Sequence, residues 1–165
     1  MKKRLFMITI ILLVAGISAV LAEEAMKATG SPAGKAEPGY IAFRPKDIKW
    51  MDGPSTLPPG LKMAVLEGDP KQPGLVTMRL KLPPNYTIKP HTHPHDERVT
   101  IISGTLYFGM GDKIETKKAM AMHAGSFFVA PPMTPMYAYT KAQGAVIQLN
   151  VESPWGLTFV EEEKK

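Results

Sequence analysis

Three of the chain's four histidines fall within five residues, in the run His91-Thr92-His93-Pro94-His95-Asp96-Glu97. In an extended strand residues i and i+2 point to the same face, about 6.6 Å apart, and a metal–nitrogen bond is about 2 Å long. The imidazoles of His91 and His93 can therefore converge on one ion. Pro94 to Asp96 supplies a turn, because Pro lacks an amide donor and Asp favours turns. Glu97 then opens the next strand, where its carboxylate can fold back beside the two rings. With Gly104 read as closing that strand at a hairpin, the string is H-x-H-x3-E-x6-G. Average residue usage would produce it in on the order of one chain in a few thousand. The bland alternative is a polar hairpin that holds nothing, and the coincidence of ligating groups with a predicted turn weighs against it.

Other residues compete for a place beside this trio. The chain has no cysteine, so disulfides and thiolate metal sites are excluded and any ion must be held by His, carboxylate or thioether. His95 lies in the turn, where side chains usually face water. His123 stands alone, and a lone His is more often structural. Asp96 could orient a ligand imidazole through its second ring nitrogen, although capping its own turn is the more ordinary job. Tyr137, Tyr139, Phe127 and Trp155 are candidates for the mouth of a pocket, but aromatics are also common in strands. No nucleophile elbow, phosphate loop or dinucleotide fingerprint is present.

The elements that must position these groups are strands. Pro and Gly punctuate the chain about every ten residues, at Pro58-Pro59-Gly60, Gly68-Asp69-Pro70, Pro83-Pro84-Asn85, Gly125, Pro131-Pro132, Gly144 and Ser153-Pro154 among others. In the run 75–82, Val76, Met78, Leu80 and Leu82 alternate with Thr77, Arg79 and Lys81. Such period-two patterning between regular turns predicts an all-β sandwich or barrel. Further strands are expected at 97–103, 105–110, 118–123, 126–130, 136–140, 145–151 and 155–160.

Both ends fall outside this domain, which is expected over 40–160. Lys2, Lys3 and Arg4 precede an apolar run from Leu5 to Leu21, and Ala22 meets the acidic pair Glu23-Glu24. This is the pattern of a secretory signal cleaved after Ala22, and it implies a periplasmic or secreted protein. The alternative is an uncleaved membrane anchor, for which the run falls slightly short of the roughly 20 apolar residues needed. Residues 23–39, rich in Ala, Gly and Pro, read as a flexible linker, and 161–165 as a solvated tail. Cleavage removes three of the 20 basic residues and none of the 15 acidic ones, so the formal charge falls from +5 to +2. The remaining basic residues are scattered, which argues against nucleic acid as a partner.

The stretch from His91 through Gly104 resembles the first motif of the cupin family, and the strand rhythm is similar over roughly 41–160. The run PHTHPHDERVTIISGTLYFGMGDK looks like a group of small bacterial cupins whose activity is mostly unassigned. The resemblance implies an antiparallel double-stranded β-helix, or jelly-roll barrel, with one divalent metal inside its mouth. It also implies pairing into a homodimer through edge strands. Two departures stand out. Asn85 replaces the usual Gly before the first His, a mild change because Asn tolerates the left-handed conformation. In the second motif, usually G-x5-P-x-G-x2-H, Gly125 and Pro131 are kept, but Met133 replaces the second Gly and Met136 the ligand His. A left-handed non-Gly residue costs roughly 1–2 kcal/mol, so Met133 is expected to avoid that conformation and reshape the turn.

The candidate metal ligands are thus His91, His93 and Glu97, with Met136 either a fourth ligand or barrel packing. Two His and one carboxylate suit iron, manganese or catalytic zinc, and a coordinating thioether would admit copper. Met120 and Met122 share a strand face and are read as core filling. Three functions remain open. One is a metal-dependent enzyme acting on a small molecule, dioxygenase- or isomerase-like. The second is a non-catalytic domain that binds or senses a metal or small molecule outside the cytoplasm, and the third a metal-free barrel used in assembly.

Overall fold

The alternating run at 75–82 forms β3 (Gly74–Leu82), in which Val76, Met78, Leu80 and Leu82 are buried and the residues between them are not. In the computed structural model, which describes residues 40–161, it is one of ten strands. The expected leader at 1–22, the linker at 23–39 and all but the first residue of the tail lie outside the described residues. All ten strands of the described residues belong to one compact unit that begins at Phe43.

The strands are β1 (Met51–Asp52), β2 (Lys62–Glu67), β3, β4 (Thr87–Thr92), β5 (Glu97–Met110), β6 (Met120–His123), β7 (Phe127–Ala130), β8 (Met136–Tyr139), β9 (Ala145–Ser153) and β10 (Thr158–Phe159). Hydrogen-bonded neighbours run in the order β1-β2-β3-β9-β5-β8-β4-β10, with β6 and β7 also paired to β5. Every pairing is antiparallel. The sheet is curled, and its inner face carries the core of Met78, Leu82, Ile101, Leu106, Leu149 and their neighbours. Full burial of each such side chain contributes about 1.5–3 kcal/mol. The architecture is the all-β, antiparallel one expected.

The strand bearing Glu97 is longer than its sequence suggests. Gly104 does not close a hairpin: β5 runs unbroken for 14 residues. Its first half pairs with β9 and β7, its second with β8 and β6. The transfer happens at Gly104, which has φ 76° and follows a register shift between Ile101 and Ser103. A side chain there would collide with the backbone carbonyl of Gly144. The glycine therefore bends a strand around the barrel corner instead of ending it.

Two left-handed residues bear on the site. Asn85 takes φ 55°, as its chemistry allows. Met133 also takes a left-handed conformation, φ 53°, contrary to expectation. Its amide donates to the His93 carbonyl at 2.8 Å, and that bond offsets part of the steric cost. The second-motif turn thus keeps the backbone bend a glycine would give. At the other end, the expected strand at 155–160 contracts to β10, whose Thr158 and Phe159 pair with Thr92 and His91 of β4.

Candidate functional site

The curled sheet lines a partly open cavity of about 40 Å³, room for two or three waters. Its walls are Leu, Ile, Val, Phe, Ala, Met and Trp side chains, together with His91, His93 and Glu97. These three polar residues are 5%, 3% and 6% exposed. β4 carries His91, the residue just past its end is His93, and the first residue of β5 is Glu97, so one short turn delivers all three to the same wall.

Both imidazoles have a fixed tautomer. His91 Nδ1 lies 2.7 Å from the Lys89 carbonyl oxygen, and His93 Nδ1 lies 2.7 Å from that of Gly156. A carbonyl can only accept, so each Nδ1 carries the proton and each Nε2 keeps its lone pair. Burial holds both imidazoles below the usual His range, opposed by those carbonyl bonds and, at His91, further lowered by His93 and raised by Glu97. The two rings meet edge-on with centroids 4.8 Å apart.

Glu97 is tethered at one oxygen. The Trp155 indole donates to its Oε1 at 2.6 Å, and the indole stacks on His93 with centroids 6.1 Å apart at 21°. The other oxygen, Oε2, lies 3.4 Å from His93 Nε2. Among the described residues, that Nε2 is the one buried side-chain nitrogen or oxygen without a hydrogen-bond partner. A lone pair and a carboxylate oxygen therefore face each other in an apolar interior. Burial accordingly pushes the Glu97 carboxyl above the usual carboxylate range, against the lowering effects of the Trp155 bond and His91.

His91, His93 and Glu97 are the residues of this cavity whose chemistry could hold a cation. Ligands about 2.05 Å from an ion are about 3.35 Å apart along a tetrahedral edge and about 2.9 Å along an octahedral one. The 3.4 Å between His93 and Glu97 matches the tetrahedral edge. Even so, no group of three or more His, Asp or Glu side chains among the described residues is disposed to hold an ion as it stands. Uptake would have to draw His91 and the His93–Glu97 pair together.

The remaining candidates divide clearly. Met136 is 3% exposed, lines the cavity and stands opposite His91 across the β4–β8 pairing. His95 is half-buried in the turn. His123 is exposed, with Nδ1 3.1 Å from Thr105 Oγ1. Asp96 neither orients a ligand ring nor is seen capping its turn; it pairs with Arg98 at 3.2 Å, while backbone carbonyls orient the rings. Of the four aromatics, only Trp155 reaches the cavity. Phe127 points outward and its neighbour Phe128 inward. The Tyr137 hydroxyl donates to the Glu115 carbonyl, and Tyr139 stacks on Tyr107. Met122 is partly buried against the core, whereas Met120 is exposed and fills none of it. Trp155 was expected at the mouth of a pocket, but its bond to Glu97 was not, and Gly156, whose carbonyl accepts from His93, was not singled out at all.

A family model described as a domain of unknown function, DUF4437, matches residues 15–155. No curated protein matches the chain. Among solved structures it is similar to KdgF from Halomonas sp., at 21% identity over 67% of this chain and 92% of that one, with a TM-score of 0.52. An RmlC-like cupin from Shewanella frigidimarina NCIMB 400 gives 17% identity, 67% and 89% coverage and a TM-score of 0.52. The polyketide cyclase RemF from Streptomyces resistomycificus gives 15%, 75% and 89%, and 0.57. Likenesses at this level of identity establish the cupin fold.

Proposed function

The chain belongs to the DUF4437 family and has a cupin fold, and from the cavity of that fold we propose that it binds one divalent metal ion through His91, His93 and Glu97. In this reading the cavity would hold a small molecule beside the ion. The observation that carries it is the buried, unpartnered His93 Nε2 facing Glu97 Oε2 at 3.4 Å. Two electron-rich atoms in an apolar interior need a cation or a proton between them. Their separation favours four-coordinate zinc or a similar ion, with three protein ligands and one open position.

Each residue then has a definite task. The carbonyls of Lys89 and Gly156 hold the imidazoles with their lone pairs toward the cavity. Trp155 holds one Glu97 oxygen. The apolar walls exclude bulk water and strengthen every charge interaction inside. A bound divalent ion would supply Lewis acidity to an oxygen atom placed at the open position. The ligand class that fits is compact and apolar apart from one oxygen donor, because no Lys, Arg or second carboxylate lines the cavity.

That same lack supports a second reading, a non-catalytic domain that binds a metal or metal–ligand complex, since general acid–base groups are missing apart from the ligands themselves. Metal analysis of protein from the native host tests the shared premise. About one equivalent of zinc, iron or manganese, lost on His91→Ala, is expected; metal-free protein that neither takes up nor is stabilised by any of these ions refutes it. Turnover of small oxygen-bearing compounds by the metal-loaded protein would then favour the enzyme over the binder.

A further inference from the structure

The segment after β9 touches all three candidate ligands within five residues. Trp155 bonds Glu97 and stacks on His93, the Gly156 carbonyl accepts the proton of His93 Nδ1, and the Phe159 ring lies 6.3 Å from that of His91. The segment is secured at both ends. The Trp155 amide donates to the Pro70 carbonyl at 2.9 Å and to Ser153 Oγ at 3.0 Å. Beyond it, β10 pairs with β4, and the Val160 amide donates to the Pro90 carbonyl at 2.9 Å.

We propose that Trp155 is the positioning residue of this site, its indole N–H engaging Glu97 Oε1 so that only Oε2 is offered to an ion. This deepens the metal reading above and rests on it. A carboxylate with one oxygen engaged binds through the other alone, which keeps the protein's ligand count at three and the fourth position open. Without the indole donor the carboxylate would be free to turn, so a bound ion would lose a pre-oriented ligand and the second oxygen could occupy the position a small molecule would use. The stacked ring adds a second constraint, because it backs the His93 imidazole whose Nδ1 the next residue holds. Partners of this kind typically change metal affinity 10- to 100-fold.

Cobalt(II) reports affinity and coordination number together in the full chain. The wild type is expected to bind one equivalent with the intense visible bands of four-coordinate cobalt. Trp155→Phe keeps an aromatic ring but removes the donor; it should bind cobalt 10- to 100-fold more weakly, with those bands weakened as the coordination number rises. A folded Trp155→Phe protein with affinity within twofold of wild type and unchanged bands overturns the positioning role and leaves the metal reading standing. A wild type that binds no cobalt, zinc, iron or manganese overturns both. Should Trp155→Phe fail to fold, Trp50→Phe leaves Trp155 as the single tryptophan. Its emission should then shift in step with zinc uptake and saturate at one equivalent, and emission that stays constant while zinc binds overturns the proposal.

Discussion

Replacing Glu97 with Gln should move metal-free and metal-loaded stability in opposite directions. In the metal-free protein the Glu97 carboxylate is buried, accepts from Trp155 and faces the lone pair of His93 Nε2 at 3.4 Å. A Gln in the same place keeps an oxygen for the indole and turns an N–H toward His93, so an opposed pair becomes a hydrogen bond. A net hydrogen bond contributes about 0.5–1.5 kcal/mol, and removing a buried charge adds to it. A gain of about 1–2 kcal/mol at pH 8 is expected. The pH dependence has a definite sign. Burial raises the folded carboxyl above its unfolded value, so the wild type holds its proton more tightly when folded. Its contribution is fully present below about pH 4.5 and is lost as pH rises toward the folded value, by about 1.4 kcal/mol per unit of difference. Glu97→Gln has no such loss, so its advantage should vanish near pH 4.5 and grow toward pH 8. With an ion at 100 times its Kd the wild type gains about 2.7 kcal/mol; a thousandfold weaker site gains almost nothing. Urea unfolding at pH 4.5, 6.5 and 8, with chelator and with zinc, measures all of these. A Gln variant that is less stable than wild type in chelator at pH 8, or that keeps the zinc-dependent gain, would refute the reasoning.

Met133→Gly should stabilise the domain by about 0.5–1 kcal/mol, since it relieves a left-handed side chain worth roughly 1–2 kcal/mol and gives back some backbone entropy; chemical denaturation without metal reads it, and a loss of stability would contradict the role given to that turn. Met136→His should tighten zinc binding at least tenfold, because Met136 stands opposite His91 on the cavity wall and imidazole is the better zinc ligand; unchanged affinity in a zinc titration would mean this position does not reach the ion. Protein recovered from the medium or periplasm of its host should begin at Glu23, read by terminal sequencing, whereas an intact Met1 in the membrane fraction would support the anchor.

The legible parts of this chain were those governed by local rules. Period-two burial in β3 follows directly from the pleat, and His91, His93 and Glu97 reach one wall because two lie on a strand and its immediate end and the third begins the next. Asn85 was readable because its side chain tolerates the conformation it adopts. Features set by distant partners were not. Gly104 looks like a turn residue, but ladders on both sides of β5 carry the strand through it. Met133 adopts a conformation its own sterics disfavour because the His93 carbonyl, forty residues earlier in the chain, takes its amide. Phe127 and Phe128 are adjacent, and a register read one residue off exchanges wall for surface. Trp155 lies 58 residues from Glu97, and no spacing rule connects them.

The second motif and the C-terminal segment together suggest how the site can do without a fourth nitrogen. The turn at Met133 retains its backbone contact to His93 while Met136 places a thioether where the family pattern has a ligand. Here Trp155 and Gly156 contact His93 and Glu97 through hydrogen bonds and a stacked ring. If the proposed ion is bound, such a site would keep its ligand count low and its walls apolar, favouring an open coordination position over tight metal storage. It also limits the chemistry. With no Lys, no Arg and no second carboxylate on the cavity wall, a reaction here would have to move its proton through Glu97, through an imidazole of His91 or His93 not engaged by an ion, or through a molecule bound in the cavity. A reaction that needs a separate cationic acid or an anion-binding pocket does not fit these walls, so a phosphorylated or multiply charged substrate is a poor match, and a compact molecule with one ligating oxygen is the match to look for.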